Sequence, residues 1–492
     1  MTGPVVRRKE LNLTVHLDRD AETPLYRQLE LQIIAEICRG RLRPATALPG
    51  TRELATQLDI NRKTVVVAYD ELVAQGWLVS SPTRGTFVSE REPDLPDRKM
   101  AGTRSRPAPE APHYDVFNRT GELTPVVMSG GPRGSFDDGL PDPRILPLGK
   151  LARAYRSALL KEAHLLRLGY GDPRGNVELR KAIARMLNSE RGLSVGIENI
   201  CITRGSQMAI YLATRVLAEP GDTVALEELS YPPVLQAFAS HGANVVPIRL
   251  DEFGLDLDHL EEQCRKTRIR SLYLTPHHHF PTAVTLPPSR RMRLLSIAEQ
   301  YRFSIIEDDY DHEFNFDPKP LLPMAGFAPS RVVYIGSFSK VLSPHLRMGY
   351  LVACVRTIDA FASQILLMDR QGDQVNELAV AHLLESGDVS RHARRALEVY
   401  RTRRDGFGEL LHHYLGDRAT FRVPSGGLAY WVEFENRDFA CIEAAVANGL
   451  RILTSRQLQT TEQPRLGIRL GYASKNSDEI ADAVARLRKL LP

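Results

Sequence analysis

A proline-dense stretch between residues 91 and 135 constrains this chain more than any other feature. Seven prolines fall there: Pro93, Pro96, Pro107, Pro109, Pro112, Pro125 and Pro132. That is roughly three times the usual frequency of about 5%. Each proline removes a backbone donor and fixes φ, so neither a long helix nor a central strand runs through such a segment. The stretch sustains no apolar period and mixes charges, as in Arg98-Lys99 and Arg104-Ser105-Arg106. It reads as an extended, semi-stiff linker. The 492 residues are thereby expected to form a small unit at 1–90, a linker at 91–135 and a large unit at 136–492.

Composition narrows the class. Hydrophobic residues are 43% and charged residues 25%, the balance of a globular chain rather than a disordered one. No run approaches the roughly 18 uncharged apolar residues of a membrane helix. The stretch Met1 to Arg8 has no apolar core of a signal peptide, so a cytoplasmic location is expected. The five cysteines, Cys38, Cys201, Cys264, Cys354 and Cys441, are scattered without a C-x-x-C pair, so neither a disulfide framework nor a zinc site is expected. With 64 Lys plus Arg against 60 Asp plus Glu, the net charge of +4 does not by itself mark a nucleic-acid binder.

The small unit reads helix, helix, helix, hairpin. After Pro24, Leu25, Leu29, Ile33 and Ile37 recur every four residues until Gly40, the period of an amphipathic helix. A short helix is predicted over Thr51 to Leu58. Asn61 is suited to cap a third helix, in which Val65, Ala68, Tyr69, Leu72 and Val73 form one apolar stripe. Gly76 ends it, and Trp77–Ser80 and Thr86–Val88 read as short strands around a Pro- and Gly-bearing turn. This is the order of a winged helix-turn-helix. Its third helix would present Arg62, Lys63 and Thr64 to phosphates and base edges, with Arg84 at the hairpin tip and Arg52 on the second helix. Between Arg39 and Lys63 six basic residues face two acidic ones, a local +4. The plainer reading is a solvated charged face, but the whole constellation favours double-stranded DNA. The residues Leu48-Pro49-Gly50-Thr51-Arg52-Glu53-Leu54-Ala55, Asn61-Arg62-Lys63-Thr64-Val65, Gly76-Trp77-Leu78 and Arg84-Gly85-Thr86-Phe87-Val88 resemble the GntR superfamily DNA-binding domain. The resemblance departs at Gly50, where that family commonly has Ser.

In the large unit, apolar strand-like runs (Thr223–Ala225, Ser271–Leu274, Phe303–Ile306, Val332–Ile335) alternate with helical stripes such as Leu179, Ala182, Ile183, Met186 and Leu187. Such alternation predicts an α/β fold with a mostly parallel sheet, whose sites gather at the carboxyl ends of strands. Three strand ends are chemically loaded. Thr203-Arg204-Gly205-Ser206-Gln207 opens a helix and suits an anion. Glu307-Asp308-Asp309-Tyr310-Asp311 follows an apolar run, and in extended chain Asp308 and Tyr310 share a side. Tyr334-Ile335-Gly336-Ser337-Phe338-Ser339-Lys340, followed by Arg347, places a lysine just beyond a strand, where an amine nucleophile belongs. Taken singly, each has a plainer reading: an ordinary turn, an acidic loop, a solvated lysine. Together, in this order, they match the needs of pyridoxal 5′-phosphate, namely an amine, an acid at the pyridine nitrogen and a phosphate cup.

With the landmarks Gly139-Leu140-Pro141-Asp142, Gly169-Tyr170-Gly171-Asp172-Pro173-Arg174-Gly175, Gly205-Ser206-Gln207, Ser230-Tyr231-Pro232, Thr275-Pro276 and Gly467-Ile468-Arg469-Leu470, the large unit resembles a fold-type I aminotransferase with a smaller C-terminal α/β subdomain. The resemblance implies that Lys340 forms the internal aldimine and Asp308 pairs with the pyridine nitrogen. Tyr310 would bond the ring 3′-oxygen and Tyr231 would stack on the ring. Gly205, Ser206, Gln207, Ser337 and Arg347 would hold the phosphate, joined by Tyr170 from the partner subunit of a homodimer. Arg469 would grip an effector carboxylate through a bidentate pair. The family's Asn-Pro-Thr-Gly loop here reads Phe280-Pro281-Thr282-Ala283, which puts efficient transamination in doubt. His277-His278-His279 precede it; consecutive residues cannot all face one ion, so no metal is expected, and one imidazole is a candidate to line the pocket instead.

The fused order of the two units resembles the MocR-type regulators. It implies a pyridoxal phosphate-dependent transcriptional regulator that binds promoter DNA as a homodimer and senses an amino acid, amine or B6 vitamer at Lys340. The alternatives are a working aminotransferase with an accessory DNA-binding domain, or a DNA-binding protein whose large unit only dimerises.

Overall fold

The computed structural model describes residues 15–21, 23–81, 84–90, 135–165, 169–317, 321–458 and 465–491. They fall in two compact units, one within Met1–Val116 and one within Phe117–Pro492. The predicted linker lies outside the described residues except for Ser135.

In the first unit, α1 (Leu25–Cys38), α2 (Thr51–Gln57) and α3 (Arg62–Ala74) are followed by β1 (Leu78–Ser81) and β2 (Gly85–Val88), paired antiparallel. Asn61 caps α3, its side chain accepting from the Lys63 N–H. The apolar stripes of α1 and α3 meet in one core of Leu29, Ile33, Leu54, Val65, Ala68, Leu72 and Leu78. The Tyr69 hydroxyl donates to the Pro49 carbonyl at 3.0 Å and so ties α3 to the start of α2. Residues 45–48 add a third, short pairing against β2, through Ala45 N–H to Val88 O and Leu48 N–H to Thr86 O. No apolar alternation in that stretch announces it.

The second unit is built on a seven-stranded sheet. Its strands are β3 (Ile200–Thr203), β4 (Thr223–Glu227), β5 (Asn244–Ile248), β6 (Ile269–Leu274), β7 (Ser304–Asp309), β8 (Val332–Ser337) and β9 (Gly349–Val352), in the spatial order β3-β9-β8-β7-β6-β4-β5. Only β9 runs antiparallel to its neighbours. Both faces are buried, as a sheet flanked by helices requires. Ile305, Leu272 and Tyr334 pack in one core, while Ile306, Tyr273 and Ile335 pack in the other. A smaller antiparallel sheet follows, of β10 (Ala419–Phe421), β11 (Ala429–Phe434), β12 (Leu453–Thr454) and β13 (Gly467–Gly471), ordered β10-β11-β13-β12. The fold is thus α/β with a smaller C-terminal subdomain, preceded by a winged helix-turn-helix. The strands extend past their sequence-based bounds at the functional ends: β7 reaches Asp309 and β8 reaches Ser337. Those added residues are polar, so apolar periodicity stops short of them.

Candidate functional site

The carboxyl ends of β6, β7 and β8 open onto one cavity. Ser206, Gln207, Tyr231, Asp308, Tyr310, Ser337, Lys340 and Arg347 all line it. β7 decides among three adjacent acids. Successive side chains of a strand point to opposite faces, and Asp308 lies on the Ile306 side while Glu307 and Asp309 lie on the other. The Glu307 carboxylate accepts from the Met324 and Ala325 N–H groups at 2.9 and 3.0 Å. Asp309 pairs with Arg191 at 2.6 Å and accepts from the Tyr334 hydroxyl at 2.7 Å. Burial disfavours the charge of Asp309, yet His277 and Arg191 hold its carboxyl well below the usual range. Both neighbours are therefore committed inside the protein.

Asp308 is not. Its Oδ2 accepts from the Tyr273 hydroxyl at 2.8 Å, but its Oδ1 is buried with no partner among the described residues. Burial pushes its pKa up to about 7. An unpartnered buried carboxylate oxygen is costly, and a protonated ring nitrogen is the donor that would relieve it. Tyr310 points to the same side and donates to the His278 carbonyl at 3.1 Å. Tyr231 and Tyr310 pack edge-on against Phe280, with centroids 5.5 and 6.5 Å from it.

Lys340 follows β8, and its Nζ donates to the Gly139 carbonyl at 2.7 Å. The anion end is built by the helix Gly205–Leu217, whose start has no side-chain cap. Its free N–H groups and dipole favour a phosphate. Arg347 reaches the same place and donates to the Arg204 carbonyl at 2.9 Å. Gly205 has φ +76°, and a Cβ there would meet Arg347 Nη1 at 3.2 Å, so glycine lets the cation approach the helix start. The donors, the orphaned acceptor and the amine fit pyridoxal 5′-phosphate.

Two sequence-expected residues stand apart from this lining. Tyr170 is 80% exposed, its ring beneath the Arg370 guanidinium at 4.5 Å. Arg469 is buried. Its Nε donates to the Asp138 carbonyl at 2.8 Å and its Nη1 to the Pro281 carbonyl at 2.6 Å, while Nη2 lies 3.5 Å from the Tyr310 hydroxyl. Its guanidinium lies over the Phe280 ring at 4.7 Å.

The three histidines separate. His278 bonds Asp311 at 2.8 Å, His279 bonds Thr282 at 2.7 Å, and His277 faces Asp309 at 3.6 Å. None is among the residues that line the cavity, contrary to the expectation for one of them; each is held by its own partner. Sequence reasoning gave no role to Asp138, Tyr273 or Thr275, which do line it. Tyr273 was detectable as a phenol near the end of the predicted strand Ser271–Leu274. Asp138 had no such signal.

In the first unit Arg52, Arg62, Lys63 and Arg84 are exposed and Thr64 is half-buried. Arg62 Nε lies 3.5 Å from Thr51 Oγ1, which joins the starts of α2 and α3. Arg39 and Arg41 instead pair with Glu36, just outside the counted segment. The local +4 is therefore partly neutralised.

Residues 146–488 match the aminotransferase class I and II family, and residues 25–88 match the bacterial regulatory proteins of the gntR family. The chain is 30% identical over 475 residues to the probable rhizopine catabolism regulatory protein MocR of Rhizobium meliloti, covering 96% of this chain and 94% of that protein. The chain belongs to the MocR-type transcriptional regulators. This MocR-type chain is also 28% identical to the HTH-type pyridoxine biosynthesis transcriptional regulator PdxR of Corynebacterium glutamicum, over 96% of this chain and 99% of the other. Its large unit resembles the solved structure of LysN, an α-aminoadipate aminotransferase from Thermus thermophilus complexed with N-(5′-phosphopyridoxyl)-L-leucine. That likeness has a TM-score of 0.66 at 29% identity and covers 73% of this chain and 92% of LysN. The MocR-type chain is thus a pyridoxal phosphate-dependent, DNA-binding regulator. Among the described residues no helix is long and apolar enough to cross a membrane.

Proposed function

We propose that this regulator is a cytoplasmic homodimer whose large unit holds pyridoxal 5′-phosphate on Lys340 and senses a small amine there, while the small unit reads promoter DNA. The observation that carries the reading is the orphaned Asp308 oxygen in a cavity that also holds an amine and an anion cup. When bound, the cofactor supplies an aldehyde that amines capture reversibly. Asp308 would keep the ring nitrogen protonated, Tyr310 would bond the ring oxygen, and Tyr231 would stack on the ring. Ser206, Gln207, Ser337 and Arg347 hold the phosphate. Lys340, whose Nζ here donates to the Gly139 carbonyl, would be the amine that holds the cofactor. The ligand regulates only if it binds two states of the dimer with different affinity.

Exposed Leu148, Tyr155, Leu159 and Leu160 on the helix Leu148–His164, with Leu367 and Met368, support dimerisation, because such apolar surface favours burial against a partner. The outward Tyr170 suits a role in a partner's site. In the small unit, α3 would enter the major groove with Arg62, Lys63 and Thr64 at its leading end, Arg52 and Arg84 flanking it.

The test is spectroscopic and electrophoretic. The purified protein takes up pyridoxal 5′-phosphate with a visible band that Lys340→Ala abolishes, and it retards its own upstream DNA. A protein that binds this DNA but never takes up the cofactor leaves only a dimerising large unit. Steady multiple turnover with an amino acid and a keto acid moves the reading to an enzyme.

A further inference from the structure

Among the described residues three phenols line the cavity, those of Tyr231, Tyr273 and Tyr310. The reading above gives roles to the first and the last and leaves Tyr273 without one. Tyr273 sits on β6, paired in register with Ile306 of β7. Asp308 lies two residues beyond Ile306, so its side chain shares the face of Tyr273. The Tyr273 hydroxyl donates to Asp308 Oδ2 at 2.8 Å. The residue is 1% exposed and packs in the same core as Ile306 and Ile335. A phenylalanine would fill that core equally well, so packing alone does not call for the hydroxyl.

The hydroxyl acts on the charge of Asp308. Burial pushes that carboxyl up, and the nearby charges of Asp309 and Asp311 push the same way; the Tyr273 hydrogen bond acts against them. A hydrogen bond given to the charged form of an acid favours that form. Burial also raises the Tyr273 phenol well above its ordinary value, so it stays a donor. The bond to Oδ2 fixes the plane of the carboxyl group and leaves Oδ1, the oxygen without a partner, for a donor in the cavity. Tyr310 does not substitute, because its own hydroxyl goes to the His278 carbonyl.

Resting on the reading that sets the cofactor's ring nitrogen at Asp308, we propose that Tyr273 is a positioning residue for the pyridine proton: its hydroxyl holds Asp308 as a carboxylate with Oδ1 turned to the ring nitrogen, so that the proton stays on that nitrogen rather than on the acid. Tyr273 acts through Asp308. Without the hydroxyl, both oxygens of Asp308 are buried with no donor, the carboxyl takes up a proton itself, and its hold on a protonated ring is lost.

The experiment is a double-mutant cycle on the full chain, with pyridoxal 5′-phosphate as the probe, that combines Tyr273→Phe with Asp308→Asn. Affinity is read by titration of the visible band. Tyr273→Phe weakens cofactor binding about tenfold or more in the parent protein and less than about threefold in the Asp308→Asn background. Cofactor-free protein supplies a second readout. The stability lost through the raised Asp308 carboxyl is lost by about pH 7 in the parent, and the loss continues to higher pH once the hydroxyl is gone. The gap in thermal midpoint between parent and Tyr273→Phe therefore widens from about pH 7 to about pH 9, and in the Asp308→Asn background it is the same at every pH. Unchanged affinity, equal weakening in both backgrounds, or a gap that does not change with pH makes Tyr273 a packing group only and overturns the proposal. If Tyr273→Phe does not fold, tyrosine labelled at Cζ is followed by nuclear magnetic resonance in the cofactor-free parent. One signal titrates near pH 7 and ceases to in Asp308→Asn; the absence of such a signal overturns the proposal equally. If Asp308→Asn itself leaves cofactor affinity unchanged, it is the placement of the ring nitrogen that fails, and this inference fails with it.

Discussion

Asp308 illustrates how a single residue acquires a function its neighbours lack. Glu307, Asp308 and Asp309 are equivalent in composition, and the pleat of β7 separates them. Glu307 and Asp309 are engaged by backbone N–H groups, Arg191 and His277, whereas Asp308 keeps in the cavity one oxygen that no cation faces. Its folded pKa of about 7 lies above the unfolded value of about 3.9. Between those values the cofactor-free folded state binds more protons than the unfolded chain, so stability is fully present below about pH 4 and falls as pH rises toward 7. Asp308→Asn removes that loss. The cofactor-free variant should gain on the parent protein by on the order of 1–4 kcal/mol between about pH 4 and pH 8. Thermal midpoints across that range measure it, and parallel curves sink it. The same variant should bind pyridoxal 5′-phosphate at least tenfold more weakly, by equilibrium titration of the visible band, because the ring nitrogen loses its anion. The i, i+2 relation of Asp308 to Tyr310 was readable in the sequence. That an Asp308 oxygen is left without a partner in the cavity was not, because the groups that engage its neighbours, such as Met324 and Arg191, come from distant chain positions.

At the scale of elements, two helix starts lie at the two proposed anion sites. The first, at α3, is stabilised by the Asn61 side chain on the Lys63 N–H at 2.8 Å. Asn61→Ala should cost about 1 kcal/mol of stability in the small unit, while Asn61→Asp should retain most of it; chemical denaturation distinguishes them. The second, the helix Gly205–Leu217, stays uncapped by its own side chains and is approached by Arg347. Gly205→Ala puts a Cβ at positive φ and within 3.2 Å of Arg347 Nη1. About tenfold weaker cofactor binding is expected with an unchanged far-ultraviolet spectrum, and unaltered affinity in a titration would refute it. The apolar stripe of α3 and its cap were legible because helical period and capping are local. The pairing of residues 45–48 with β2 was not, since it rests on a contact about 40 residues away in sequence.

At the scale of the whole molecule, the proposed DNA-reading surface is a local patch of charge on a nearly neutral chain. Net charge is +4 over 492 residues, yet Arg52, Arg62, Lys63 and Arg84 are exposed on the small unit without ion pairs among the described residues. Each phosphate contact releases counterions, so affinity should fall steeply with salt. Arg62→Ala should weaken DNA binding about tenfold and lower the slope of log affinity against log salt by about 1 per half-site. Arg39→Ala and Arg41→Ala, whose guanidinium groups are engaged by Glu36, should change affinity less than about threefold. Mobility shifts over a salt series decide this, and an equal loss for all three would place Arg39 and Arg41 at the DNA instead.

What the sequence determined by itself is whatever depends on neighbours in the chain. The proline-dense segment marked two units, helical period located the winged helix, and the order of phosphate turn, acid with phenol, and lysine pointed to a candidate cofactor site at strand ends, whose residues line one cavity. What only the tertiary structure decided is which polar groups remain unsatisfied once everything is packed. One of His277, His278 and His279 was expected to line the pocket, and each is held by a partner instead. Arg469 looked free to grip an anion and spends two nitrogens on carbonyls. Asp138 looked ordinary and is left with a bare oxygen in the cavity. The physical reason is that burying a polar group is costly unless a partner meets it. That partner is supplied by the three-dimensional arrangement, which no spacing along the chain encodes.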